Sequence, residues 1–299
     1  MLLLSAAFFS AGCDRPKEQQ APPRKTFGQQ ELLIGLIPEQ NIFLQRERYQ
    51  VLGDYLSKKL GITVNFTSLS RYGNIIDHFS SEKMDGAFFG SFTYCLAHSQ
   101  LGVEVIARPV NPDGSSTYYG YLFVRTNSGI RNAAEMKGKR FAFVDQATTA
   151  GYLFPLAYFR ERGIADPRAY LGEMFFTGSH DAAVQAVLSR EADIGAAKNT
   201  IYDHMAQEDP RIGKDLTILA TSASVPQNGL AVRKDLDPEL KKALSQVLLE
   251  MDRDPQGIEA LQRFGVRGFV STSDGDYVHV YELARKVGID LKGYEYRNR

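Results

Sequence analysis

The chain has no tryptophan, only two cysteines and, with 35 Lys+Arg against 35 Asp+Glu, no net charge. Each shortage excludes something. Without a basic excess or a run of Lys and Arg, neither nucleic acid nor an anionic membrane surface is an expected partner. Cys13 closes an apolar leader and Cys95 stands alone in the body, so the body can form no disulfide of its own. Cys95 follows an aromatic cluster and reads as a small core residue. The leader, residues 1–13, is too short to cross a bilayer as a helix. GxSxG, P-loop, GxGxxG, CxxC and HExxH patterns are all missing, and His78, His98, His180, His204 and His279 have no metal-ligand spacing. The expectation is therefore no enzyme, no metal and no cofactor.

What is present is a large apolar inventory arranged as alternating strands and helices. With 299 residues the chain can form two domains of ordinary size, and 15 Tyr and 18 Phe supply pocket surface in place of tryptophan. Residues 31–37 read as a buried first strand, followed by a helix with Tyr49, Leu52, Leu56 and Leu60 on one stripe and a stop at Gly61. Strands at 62–66, 86–90, 103–107, 119–125, 140–144, 173–176, 193–197, 216–220 and 229–233 alternate with helical stretches. That pattern predicts an α/β architecture with largely parallel sheets. Turn-rich breaks at 109–118 and 221–228 interrupt it. Residues 79–88 and 188–196 echo one another, each a helix end, an acidic turn and a short Gly/Ala strand. The echo predicts two lobes of related topology, with a site where their strand ends face one cleft.

The stretch 140–155 carries the clearest chemical signal. A buried strand turns through Thr148, Thr149, Ala150 and Gly151 into a helix. Thr148 or Thr149 reads as the N-cap, and the N–H groups of Thr149, Ala150 and Gly151 are left pointing outward with the helix dipole behind them. Small side chains there let an oxyanion approach closely. Such a turn also occurs as an ordinary capped helix start.

The motifs KGKRFAFVDQATTAGYLFP (137–155), FTGSHDAAVQAVLSREADIGA (176–196), GSFTY (90–94) and SVPQNGLAVR (224–233) resemble the phosphate/phosphite/phosphonate-binding lipoproteins of ABC importers. The similarity runs from about residue 31 to 264. It implies a type II periplasmic-binding-protein fold, two α/β lobes joined by two crossover strands and closing on a small phosphorus oxyanion. It also implies a monomer that delivers its ligand to a membrane permease driven by a separate ATPase. The expected layout is a lipoprotein signal at 1–13, a disordered tether at 14–29, one lobe from 30–120 plus 227–299 and a second from 121–226. Ser10-Ala11-Gly12-Cys13 resembles a lipobox with Cys13 as the acylated residue, although no Lys or Arg precedes the apolar run. That places the protein on the periplasmic or cell-surface face, held to the membrane only through a lipid anchor.

Residue by residue, the family's Ser-Thr-Ser anion loop is matched by Thr148, Thr149 and Ala150, the third hydroxyl being absent. His180 matches a histidine that contacts the oxyanion, and a protonated imidazole would favour it. Tyr94 and Tyr72 match tyrosines whose phenols donate to the ligand. Carboxylates that hold the ammonium of aminoalkylphosphonates fall near Thr200 and Asn228, neither charged, and Lys198 beside that wall would repel an ammonium. The expected ligand is therefore phosphate, phosphite or an uncharged alkylphosphonate. A sensory lipoprotein presenting the anion to a signalling receptor is the alternative on the same fold, and an enzyme a remote one.

Overall fold

The computed structural model describes residues 30–295 apart from Ser70 and Gly73. The leader, Cys13 and the tether therefore lie outside the described residues. In chain order the first half contains β1 (Glu31–Leu36), α1 (Ile42–Leu60), β2 (Thr63–Ser68), α2 (Asn74–Ser81), β3 (Gly86–Phe89), α3 (Ser91–Leu101), β4 (Glu104–Val110), β5 (Thr117–Tyr118), β6 (Gly120–Arg125) and β7 (Arg140–Phe143). There follow α4 (Phe154–Glu161), α5 (Pro167–Tyr170), β8 (Glu173–Phe176), α6 (His180–Leu188), β9 (Ile194–Lys198), α7 (Asn199–Glu208), α8 (Pro210–Asp215) and β10 (Leu216–Thr221). The chain then adds β11 (Val225–Pro226), β12 (Gly229–Val232), α9 (Pro238–Leu249), α10 (Pro255–Phe264), β13 (Gly268–Ser271) and α11 (Val278–Lys286).

Local chemistry explains the helix ends. Asn41 accepts from the N–H groups of Phe43 and Leu44 to start α1, and Gly61 stops it at φ 70°, a conformation that costs glycine least. Asp237 caps α9 by accepting from Leu240, with Pro238 in the first turn, where no N–H is needed.

Two sheets organise the molecule. The six-stranded sheet runs β13-β4-β12-β3-β1-β2 and the five-stranded sheet β10-β6-β9-β7-β8. Both are mixed rather than largely parallel. β1 pairs in parallel with β2 and β3, and β7 with β8 and β9, whereas β12 and β6 enter antiparallel. The reason is topological: β6 and β12 follow the two segments that pass between the sheets, so each arrives from the opposite direction. The internal echo is real in this arrangement, since β12-β3-β1-β2 and β6-β9-β7-β8 share one order. The crossing segments themselves form a two-stranded ribbon, β11 against β5, with Val225 opposite Tyr118.

Separate apolar clusters line the two faces of the five-stranded sheet, one around Phe141 and Phe159, the other around Phe123 and Tyr202. On the six-stranded sheet, one cluster gathers Leu52, Leu56 and Phe88 under α1 and α9. The other joins Tyr72, Phe89 and Phe92 to Val144, Ala147, Ala150 and Ala183 of the second sheet's connections. An apolar seam therefore closes the two lobes on each other, around a polar centre.

Candidate functional site

The polar centre starts where β7 ends. The Asp145 carboxylate accepts from the Ala147 N–H at 2.8 Å, and its carbonyl accepts both the Thr148 N–H (3.0 Å) and the Thr148 hydroxyl (2.7 Å). Thr148 thus turns its side chain back into the loop, and neither threonine caps its own helix, contrary to the sequence expectation. The helix opens as a wide π turn over Thr149–Leu153, with Leu153 N bonding Thr148 O and Phe154 N bonding Thr149 O. Pro155 has no N–H to offer one turn back, so the Gly151 carbonyl is released and accepts from Val144 N at 3.2 Å. The N–H groups of Thr149, Ala150 and Gly151 precede all of these helical bonds, and among the described residues no acceptor takes them. Gly151 permits the bend: a Cβ there would lie 2.4 Å from Val144 Cβ.

A second helix start faces the first. Gly90 precedes α3 and has no side chain to cap it, and the acceptor comes instead from Thr149, whose Oγ1 takes the Phe92 N–H at 2.9 Å. Thr93 Oγ1 donates to Ala147 O at 2.8 Å beside it. The positive ends of two helices thus meet at one place. Tyr118 lies on the crossing ribbon nearby; burial raises its phenol to about 12, against the neighbouring Ser91 and Thr149 hydroxyls that lower it.

His180 and Lys198 complete the cluster from the other side. His180 begins α6; its main-chain N–H donates to Glu39 O, and its Nδ1 accepts the Lys198 N–H at 3.1 Å. That acceptor role leaves Nδ1 unprotonated, so the neutral ring carries its proton on Nε2. Burial lowers the imidazole to about 3, against the Glu39 charge that raises it, and Lys198 lowers it further. The ring is therefore neutral, not protonated as the sequence suggested. Tyr72 packs edge-on against it at 6.1 Å between centroids. Among the described residues the buried Tyr72 hydroxyl has no hydrogen-bond partner, and burial, then Glu39, holds it strongly protonated. A buried phenol without a partner is costly unless a ligand supplies one.

Lys198, at the end of β9, is not a free cation. Only 4% exposed, its Nζ donates to Glu39 Oε1 at 2.8 Å and to Asn228 Oδ1 at 3.2 Å, and lies 4.5 Å from the centre of the Tyr118 ring. Burial would raise the Glu39 carboxyl, but Lys198 outweighs it and the group stays below its ordinary range. The pair joins the loop after β1 to the end of β9, and so one lobe to the other.

The structure thus brings together Thr148, Thr149, Ala150, Gly151, His180, Tyr72, Lys198 and Asn228. It leaves Tyr94 out. The Tyr94 hydroxyl donates to Asp274 at 3.1 Å and its ring packs 4.3 Å from Tyr277, within the body of its lobe. Thr200, half-buried in the first turn of α7, makes none of the hydrogen bonds that join the cluster. Glu39, Ser91 and Tyr118 escaped the sequence reading. Ser91 is the second residue of the GSFTY motif, and Glu39 lies in the loop leaving the carboxyl end of the first strand, so position was the available signal for both. Two open clefts, of 270 Å³ beside Lys59 and Asp254 and 620 Å³ beside Lys83 and Arg233, share no residue with this cluster.

The family described as the phosphonate ABC transporter periplasmic substrate-binding protein matches residues 34–277. The chain is 23% identical over 265 residues to the probable ABC transporter phosphite binding protein PhnD1 of Prochlorococcus marinus, covering 86% of this chain and 89% of that one. It is 26% identical over 234 residues to the phosphonates-binding periplasmic protein of Escherichia coli, covering 77% of this chain and 68% of that one. The crystal structure of PhnD1 from Prochlorococcus marinus with methylphosphonate superposes with a TM-score of 0.76 at 22% identity, over 86% of this chain and 98% of that one. A binding-protein component of an ABC phosphonate transporter from Pseudomonas aeruginosa gives 0.78 at 20% identity, over 85% of each chain. The fold is accordingly that of type II periplasmic binding proteins. With the match spanning most of its length, this chain belongs to the phosphonate ABC transporter periplasmic substrate-binding protein family.

Proposed function

We propose that this substrate-binding protein captures phosphite, phosphate or an alkylphosphonate without an amino group, and does so by closing its two lobes over the anion. The observation that carries this reading is the meeting of three unpaired N–H groups, at Thr149, Ala150 and Gly151, with the partnerless phenol of Tyr72 and the neutral His180 ring. A tetrahedral oxyanion offers acceptors in several directions, and burying it is tolerable only if its oxygens are all bonded. Main-chain N–H groups, Tyr72 and His180 Nε2–H supply those bonds without a free cation, in keeping with the balanced charge of the chain. Neither Thr200 nor Asn228 offers a carboxylate for a ligand ammonium.

In this reading the lobes are 30–120 plus 227–299 and 121–226, the crossing ribbon of β5 and β11 is the hinge, and Cys13 carries a lipid anchor on a monomeric receptor outside the inner membrane. The anion docks on the Thr149–Gly151 turn, and closure brings Tyr72 and the Glu39 loop over it. Permease and ATPase then take the ligand on. Calorimetric titration with phosphite, phosphate, methylphosphonate and sulfate tests the reading. Binding of at least one phosphorus oxyanion well ahead of sulfate is expected, and a chain indifferent to all three would overturn it.

A further inference from the structure

The partners of Lys198 are the partners an incoming ligand ammonium would need. A primary ammonium has three N–H donors and no acceptor, and an aromatic face also attracts it. Here a carboxylate at 2.8 Å, an amide oxygen at 3.2 Å and the face of Tyr118 surround one buried Nζ. The niche also borders the anion turn: Asn228 Oδ1 lies 3.8 Å from where a Cβ on Gly90 would sit, at the start of the helix whose Phe92 N–H is taken by Thr149. Niche and turn therefore adjoin, within reach of a short bifunctional molecule with phosphonate at one end and ammonium at the other. The main chain of Lys198 is fixed as well, since its N–H orients His180.

We propose that Lys198 is the specificity-determining residue of this site: its ammonium occupies, from within the chain, the Glu39–Asn228–Tyr118 niche that would otherwise accept the amino group of an aminoalkylphosphonate. The assignment rests on the phosphorus-oxyanion reading above and says which members of that class are refused. Glu39 is ionised and already neutralised by Lys198. A ligand amine would thus find no free carboxylate and would meet a like charge in a buried space. Because Lys198 belongs to the five-stranded lobe and Glu39 to the six-stranded one, the niche is filled by closure itself.

Three proteins and three ligands test this: wild type, Lys198→Ala and the double variant Glu39→Gln/Lys198→Ala, each titrated with phosphite, methylphosphonate and 2-aminoethylphosphonate. Wild type should bind 2-aminoethylphosphonate at least about 100-fold more weakly than methylphosphonate. Lys198→Ala leaves Glu39 as an open counter-charge and should gain at least about tenfold for the amine while losing affinity for the amine-free ligands. Added methylammonium should restore methylphosphonate binding to Lys198→Ala and leave wild type unchanged. The double variant should bind methylphosphonate and show no amine gain. Tight binding of 2-aminoethylphosphonate by wild type overturns the assignment. So does a gain in the double variant equal to that in the single one, or a folded Lys198→Ala that gains nothing. Should Lys198→Ala not fold, the double variant buries no unpaired charge and decides alone, a gain of amine binding counting against the proposal and its absence for it. If wild type binds none of the three, the oxyanion reading itself fails, and the assignment with it.

Discussion

Tyr72 and Tyr94 have the same side chain, the same near-complete burial and opposite situations. Tyr94 spends its hydroxyl on Asp274, whereas Tyr72 has no partner for its own among the described residues. Tyr72→Phe should leave the stability of the free protein unchanged or slightly raised, because the lost hydroxyl made no bond, yet weaken oxyanion binding by about tenfold or more. Tyr94→Phe should do the reverse, costing about 1 kcal/mol of stability and leaving affinity as it was. Titration and chemical denaturation of both variants check the pair. The difference was not legible in the sequence. Tyr94 lies three residues into α3, about 4.5 Å deeper than Ser91 along the helix. That single turn removes its ring from the site and lodges it against Tyr277.

His180 carries the pH dependence at the same scale. With its imidazole lowered from 6.5 to about 3 by burial, the unfolded chain binds the extra proton first as pH falls. Stability from this residue is complete above pH 6.5 and is lost as the solution is acidified toward 3. His180→Asn keeps an acceptor for the Lys198 N–H but cannot titrate. Between pH 6.5 and 4.5 wild type should lose about 2 kcal/mol more than the variant, measured by urea unfolding.

Among the elements, the opening turn of the helix after β7 decides the most. A strand, a small-residue turn and a helix were readable in residues 140–155, and so were the N–H groups of residues 149–151 left without helical acceptors. The π turn was not, because it depends on Pro155 withholding an N–H and on Val144 taking the carbonyl thereby released. Thr149 has a further element-level role, lending its hydroxyl to the start of α3. Thr149→Val, nearly the same shape, should strand the Phe92 N–H and cost about 1–3 kcal/mol, with weaker anion binding. Gly151→Ala should be worse for binding than for folding alone, since the new methyl must push the turn off Val144, displacing the N–H groups that are to grip the ligand. About 1–3 kcal/mol of destabilisation is expected, together with a loss of affinity seen by calorimetry. Most strands were legible within a residue or two, but β4 runs three residues past its expected end, and β5, β11 and β13 were not foreseen. The direction of β6 and β12 was not, since nothing local distinguishes a strand that continues its lobe from one that has just crossed over.

For the molecule as a whole, the two-lobed plan was readable through the echo of residues 79–88 in 188–196, and the matching strand orders of the two sheets bear it out. What no periodicity encodes is closure. Glu39 and Lys198 are 159 residues apart, as unremarkable in sequence as any loop carboxylate and strand-end lysine, and they meet only when the lobes do. Closure that buries ligand should appear as ligand-dependent stability: at a concentration of phosphorus oxyanion about 100-fold above its Kd, unfolding should cost about 2.7 kcal/mol more, a shift readable by thermal denaturation. The central claim is narrower, that one anion is gripped by the main chain of residues 149–151 beneath Tyr72 and His180. A crystal structure of the protein grown with methylphosphonate tests it most directly. The account predicts phosphonate oxygens about 2.7–3.2 Å from the nitrogens of Thr149, Ala150 and Gly151, with Tyr72 and His180 Nε2 completing the shell. A phosphonate held elsewhere, with those N–H groups turned to protein acceptors, would contradict it.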